Sequence, residues 1–122
     1  MKDKVNLAER FASFDETWVP KVVAELNGQY LKVVKFQGPY VWHHHAEEDE
    51  MFLVRSGRVN IELRDRTVEL GPGEFFVVPR GVEHRPVAPE LSEVLLFEPA
   101  TTRNTGQVDH EYTIEAAALE RI

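Results

Sequence analysis

Hydrophobic and polar positions change their period twice along this chain. Near the start, Leu7, Phe11 and Phe14 recur at helical spacing. Asn6 followed by Glu9 fits a capping pattern, so a short N-terminal helix is expected there. After "DETWVP" the period becomes that of strands. "KVVAEL" and "QYLKVVKF" flank Asn27-Gly28, a pair that accepts the positive φ of a type I′ turn and predicts a hairpin. In "RVNIEL", Val59, Ile61 and Leu63 alternate with Arg58, Asn60 and Glu62, and "TVEL" repeats the alternation. "EFFVVP" and "EVLLFE" read as short apolar strands, with "DR", "GPG", "PRG" and "APEL" as the breaks between strands. The C-terminal "YTIEAAALERI" returns to helix-forming residues. Short strands at regular spacing with Gly/Pro turns predict an all-β barrel or sandwich with short N- and C-terminal helices. The pattern shows no repeat or linker, so residues 1–122 read as one domain with its barrel over about 20–100.

Composition narrows the setting without changing the fold. At 122 residues the chain is long enough to bury a core without staples, and it has no cysteine to supply disulfides or thiolate ligands. Fourteen basic against 21 acidic residues give a formal charge of −7, which repels nucleic acid and anionic membrane surfaces. "FFVVP" and "VLLF" are too short to cross a bilayer, and the charged "MKDKVNLAERFASF" lacks the form of a leader. A cytoplasmic protein with no nucleic-acid or membrane partner is the expectation.

The candidate chemistry lies in "WHHHAEEDEMFLV", residues 42 to 54. On a strand, His43 and His45 share one face, with His44 on the other, and residues two apart lie roughly 6.5–7 Å apart. Two imidazoles on one face can converge on a single ion. Glu50 has the wrong parity for that face on an uninterrupted strand. A turn over residues 46–49 would remove the conflict by running the next strand back beside the first. Phe52 and Val54 then face inward with Glu50. His84, after the turn at Pro79-Arg80-Gly81, supplies a fourth candidate ligand.

At these residues the sequence resembles the cupin family. The first cupin motif, G-x5-H-x-H-x3,4-E-x6-G, is matched by Gly38, His43, His45, Glu50 and Gly57. The second, G-x5-P-x-G-x2-H-x3-N, is matched by Gly73, Pro79, Gly81 and His84. Two positions depart: Gly38 stands one residue closer to His43 than the pattern asks, and the final Asn is Ala88. Only 15 residues, 58–72, separate the motifs, the spacing of small single-domain cupins of the cupin_2 type, and among subfamilies the YdbB-like cupins are most similar. The resemblance implies a small antiparallel β-barrel, a double-stranded β-helix or jelly roll, with a metal ion held inside by His43, His45, Glu50 and His84.

Three imidazoles and a carboxylate accept iron, manganese, nickel, copper or zinc, and leave coordination positions for water or substrate oxygens. The expected function is a metal-dependent enzyme acting on a small oxygenated molecule, a sugar or organic acid, by isomerase, epimerase or dioxygenase chemistry. A non-catalytic cupin that binds or senses a small ligand is the alternative. Phe52, Val54, Val59, Ile61 and Leu63 are expected to line the interior; Phe52, with Arg103 and Asn104 from "TTRNTG", is the expected substrate contact. Glu47, Glu48 and Asp49 read as a solvated turn, and Arg55, Arg80 and Arg85 as surface charges. Trp42, Met51 and Leu53 fall on the non-ligand face, to be buried against a helix or a second subunit. Both faces of "EMFLV" are apolar, so a homodimer is expected to cover the outer wall.

Overall fold

The computed structural model describes residues 3–122; Met1 and Lys2, the start of the stretch read above as no leader, lie outside them. The helix α1, Leu7–Ala12, begins where expected, with the Asn6 side chain accepting the Glu9 N–H at 3.0 Å. Six residues cannot sustain a helix alone, so packing holds it. Phe11 is fully buried, and Phe14, just past the helix end, packs with it over Val23, Val33 and Leu95.

Strands β1 (Lys21–Leu26) and β2 (Gln29–Pro39) form the predicted hairpin, with φ of 52° at Asn27 and 77° at Gly28. Then follow β3 (Glu50–Ser56), β4 (Val59–Leu63), β5 (Thr67–Leu70), β6 (Phe75–Val78), β7 (His84–Pro99) and the short β8 (Glu120–Arg121). The strand β7 organises the rest. It pairs antiparallel with β2 along one edge; on the other it takes β4 near its start and β3 near its end. Beyond these, β5 pairs with β4 and β6 with β3. Among the described residues the pairing does not close into a ring. Instead the two branches face each other across one core, where Val59, Ile61 and Leu70 meet Phe52, Val54 and Val78 over Val34, Phe36 and Leu96. This is a jelly roll.

Two segments differ from the sequence reading. "APEL" is a bend inside one 16-residue strand, not a break between two strands. Pro89, Glu90 and Leu91 are exposed there, the β2 ladder shifts register between Phe36 and Gly38, and pairing resumes at Ser92. The C-terminal residues form only a 3-10 turn, Ala116–Ala118, before Glu120 and Arg121 pair parallel with Lys21 and Val22. Three alanines offer too little helix to outweigh the β1 edge and the apolar cluster on which Ile122 packs.

Candidate metal centre

The ligand-bearing segments meet at one end of the core. His84 opens β7, Glu50 opens β3, and His43 and His45 sit in the irregular chain between β2 and β3. The partner of the histidine segment is not the one expected. Residues 43–45 do not run beside β3; His43 bridges to His84 through both backbone bonds, at 3.1 and 2.9 Å, and the His45 carbonyl accepts the Gly81 N–H at 2.7 Å. The turn after His45 leads instead into a strand paired with β6 and β7. His43 and His45 still share the inward face, and His44 turns outward, its N–H donating to Gln107.

One donor atom from each of His43, His45, Glu50 and His84 lies within 4.8 Å of the others, and all four residues are buried. His43 and His84 each place Nδ1 2.9 Å from a backbone carbonyl, of Val41 and Val82. A carbonyl accepts only from a protonated Nδ1, which leaves the Nε2 lone pair of each ring free for an ion. Nε2 of His45 and of His84 and Oε1 of Glu50 are buried without a hydrogen-bond partner. His45 Nε2 and His84 Nε2 approach Glu50 Oε1 at 3.2 and 3.4 Å, but off the alignment a hydrogen bond needs. Orphaned buried acceptors converging on one point are costly alone and are satisfied by a cation. The donor set therefore fits a divalent metal ion. Burial and the neighbouring His84 lower the His43 pKa to about 3, which keeps the imidazole neutral.

Behind Glu50 lies a second pair of charges. Lys32 Nζ and Glu98 Oε1 are 2.7 Å apart, each side chain 1% exposed, and Glu98 stands across from Glu50, one step beyond the Met51–Phe97 pair of β3 and β7. Burial and the Glu50 charge push the Glu98 pKa well above the usual carboxylate range, against the pull of Lys32. Burial would raise Glu50 as well, but its contacts with Glu98, His45 and His84 hold it well below. Neither Lys32 nor Glu98 was singled out from sequence. The signal was their parity: Lys32 shares the inward phase with Val34 and Phe36, and Glu98 shares it with Val94 and Leu96.

Beside the ligands lies a small cavity lined by Trp18, Val34, Phe36, Phe52 and Leu96, together with His43 and Glu50. Tyr40 and Asn104 add the other polar atoms. Without rearrangement it holds on the order of one water molecule. Burial, and next the Glu50 charge, push the Tyr40 phenol above its usual range, so it stays a neutral hydroxyl. Trp18 stacks on Phe36 and Tyr40 at 4.3 and 4.6 Å and holds φ at 63°, a strained value for a bulky residue. Tyr112, from the segment that follows β7, lies parallel to Tyr40 at 5.6 Å. Spacing gave no hint of these aromatic groups.

The expected substrate contacts separate here. Phe52 and Asn104 line the cavity, but the Asn104 amide is committed to the Tyr112 carbonyl and the Ile114 N–H. Arg103 does not line this cavity; with His45, Glu47 and Thr101 it lines a second, more open pocket, and it is bound to Asp109, Glu115 and the carbonyls of Gly106 and Val108. Those contacts fold residues 103–115 into a strap across the barrel end. Leu53 packs beneath α1, whereas Trp42 carries the guanidinium of Arg64 at 3.8 Å and that of Arg85 at 5.6 Å. Arg55, Arg80 and Arg85 pair with Glu93, Asp49 and Glu62.

The fold agrees with the comparisons to known proteins. A cupin domain model matches residues 33–98, more than half of the chain, and the protein belongs to the cupin family. It is 34% identical over 64 residues to protein YdbB of Bacillus subtilis (strain 168), covering 52% of this chain and 57% of that one. The match thus spans little more than half the length of that relative. A cupin-2 domain containing protein from Shewanella frigidimarina NCIMB 400 has a similar crystal structure (TM-score 0.77, 42% identity, covering 78% of this chain and 93% of the other). Protein NMB1881 of Neisseria meningitidis superposes with TM-score 0.74 at 28% identity, covering 80% of this chain and 99% of its own.

Proposed function

We propose that this protein is a metal-dependent enzyme that holds one divalent ion through His43, His45, Glu50 and His84 and acts on a small oxygen-bearing molecule. The observation that carries this is the four-donor cluster whose orphaned acceptors have no other use. A bound ion would supply Lewis-acid or redox chemistry at an open coordination position. The chain supplies the rest. Aromatic and aliphatic walls, with the neutral Tyr40 hydroxyl, line the approach to His43 and Glu50, while His45 borders a more open pocket lined by Glu47, Thr101 and Arg103. Of the two substrate classes expected, a small organic acid suits these walls better than a sugar only because its carboxylate would pair with the ion, whereas each sugar hydroxyl stripped of water there without a partner costs about 1–3 kcal/mol. Entry along this aromatic cavity requires its rings to move, Tyr40 among them.

One observation supports a ligand-binding cupin instead: among the described residues, Tyr40 is the one titratable group besides the ligands that lines the cavity. Elemental analysis of untagged protein, with turnover screens before and after chelation, separates the two. A stoichiometric metal and metal-dependent product support the enzyme; metal with ligand binding and no product supports the alternative. Protein that takes up no divalent ion removes both. We also infer a homodimer. Phe75 and Val77 are 59% and 45% exposed on β6, next to Leu53 and Met51 of β3. Among the described residues β6 pairs only with β3, which leaves an apolar edge strand open to a second copy.

A further inference from the structure

Two short segments enclose the open pocket beside His45: residues 44–48, and residues 101–107, which lead into the strap. Its volume is about 220 Å³, against about 20 Å³ for the aromatic cavity, so it admits several water molecules or a molecule of a few carbon atoms. His45 is the buried member of its lining, 4% exposed. This imidazole also differs from the other two in the cluster. His43 and His84 each place Nδ1 on a backbone carbonyl, whereas His45 Nδ1 has no hydrogen-bond partner among the described residues. Its Nε2 is the nitrogen turned to Glu50, at 3.2 Å, and is sealed from solvent; Nδ1 is not sealed. The two ring nitrogens diverge, so the Nδ1 edge is the one that meets the pocket.

The free groups around this nitrogen are of both kinds. Gln107 accepts the His44 N–H through Oε1, which leaves its amide N–H groups to donate. Glu47 makes no hydrogen bond or ion pair among the described residues, and its carboxylate accepts. The Arg103 guanidinium is already answered by Asp109, Glu115 and two carbonyls, so an anion here would meet Glu47 and Glu48 with no free cation to offset them. A hydroxyl both donates and accepts. It takes the Gln107 amide, gives to Glu47, and pairs with His45 Nδ1 in either tautomer. We propose that this pocket binds a small neutral polyol, one hydroxyl of which pairs with His45 Nδ1. The occupant then gives His45 the outer partner that Val41 and Val82 give His43 and His84, and so influences the ion without touching it. The pocket stands on its own geometry, while its coupling to the ion rests on the metal reading above.

The probes are straight-chain polyols from glycerol to sorbitol, with succinate and 1,4-diaminobutane as charged counterparts. Backbone amide shifts of metal-free protein locate binding, and the visible absorption of cobalt(II)-loaded protein reports the ligand field. At least one polyol is expected to move the amides of residues 44–48 and 101–107 saturably, and to shift the cobalt bands over the same concentrations. Ala46→Phe fills the pocket from an exposed position, and Gln107→Glu keeps the acceptor for the His44 N–H while removing the donor. Each is expected to weaken polyol binding about tenfold, the effect of one lost hydrogen bond. The two changes lie on different segments, and melting of each free variant checks that it folds. No saturable shift at those segments with any polyol overturns the proposal. So does tighter binding there of succinate or the diamine, or folded variants that both bind as wild type does. A polyol that binds there and leaves the cobalt bands unmoved overturns the coupling through His45. If wild type takes up no cobalt, the metal reading falls, while the amide shifts of metal-free protein still decide the pocket.

Discussion

Gly106 bears on the site through the backbone. It holds φ at +60°, and a Cβ there would lie 2.1 Å from the His44 carbonyl oxygen and 3.3 Å from His43 Cδ2. Gly28, in the β1–β2 turn, has φ of +77° and nothing within 4 Å. The pair separates two costs of the same substitution. Gly28→Ala brings only the left-handed strain of an L-residue, about 1–2 kcal/mol. Gly106→Ala adds a clash with backbone, where relief means moving chain, at a further cost of about 1–3 kcal/mol. Loss of about 2–5 kcal/mol is expected for Gly106→Ala. Urea denaturation followed by far-UV circular dichroism and tryptophan fluorescence measures both variants. Because Tyr112 stacks on Trp18 at 6.2 Å, lifting the strap should also shift the native fluorescence of Gly106→Ala and leave that of Gly28→Ala unchanged. Equal midpoints for the two variants would refute the claim that the strap rests on the histidine segment.

The remaining expectations concern the ion, acid and association. An ion bound only by the native state at 100 times its dissociation constant adds about 2.7 kcal/mol. Chelation should therefore lower the melting temperature of wild type but not of His84→Ala; equal shifts in the two would place the ion elsewhere. In metal-free protein, His43 has its pKa lowered from 6.5 to about 3. Because the folded value is the depressed one, this stabilisation is complete above pH 6.5 and is lost as pH falls toward 3. The urea midpoint should decline across that window, more steeply than in His43→Gln; parallel slopes would contradict the assignment. Light scattering should give a dimer for wild type and a 14.0 kDa species for Phe75→Lys/Val77→Lys, and a monomeric wild type would remove the dimer.

Local signals made much of this fold legible. The Asn6 cap and the Asn27-Gly28 turn are short-range devices, and both form as read. Alternation placed Phe52, Val54, Val59 and Ile61 in the core, where they are at most 2% exposed. Motif spacing selected the four residues that the fold brings together. What escaped depends on which strands become neighbours. The histidine segment was expected to pair with β3, because adjacency in sequence is the only guide to pairing before the fold is known. The real partner, His84, lies about forty residues downstream. The same ignorance hid the placing of Glu98 across from Glu50 on a neighbouring strand. The C-terminal stretch misled because alanine propensity is weak beside an open strand edge.

The length of β7 has a consequence for how the molecule can vary. His84 stands at its first residue and Glu98 at its last but one, on the same face across a single bend. Adding or deleting one residue between Ser92 and Glu98 would flip one end relative to the other. Either the His84 imidazole or the buried acid would then be turned to the wrong side. Length changes among natural variants should therefore collect in the hairpin tips and the segment after Pro99, and spare this strand.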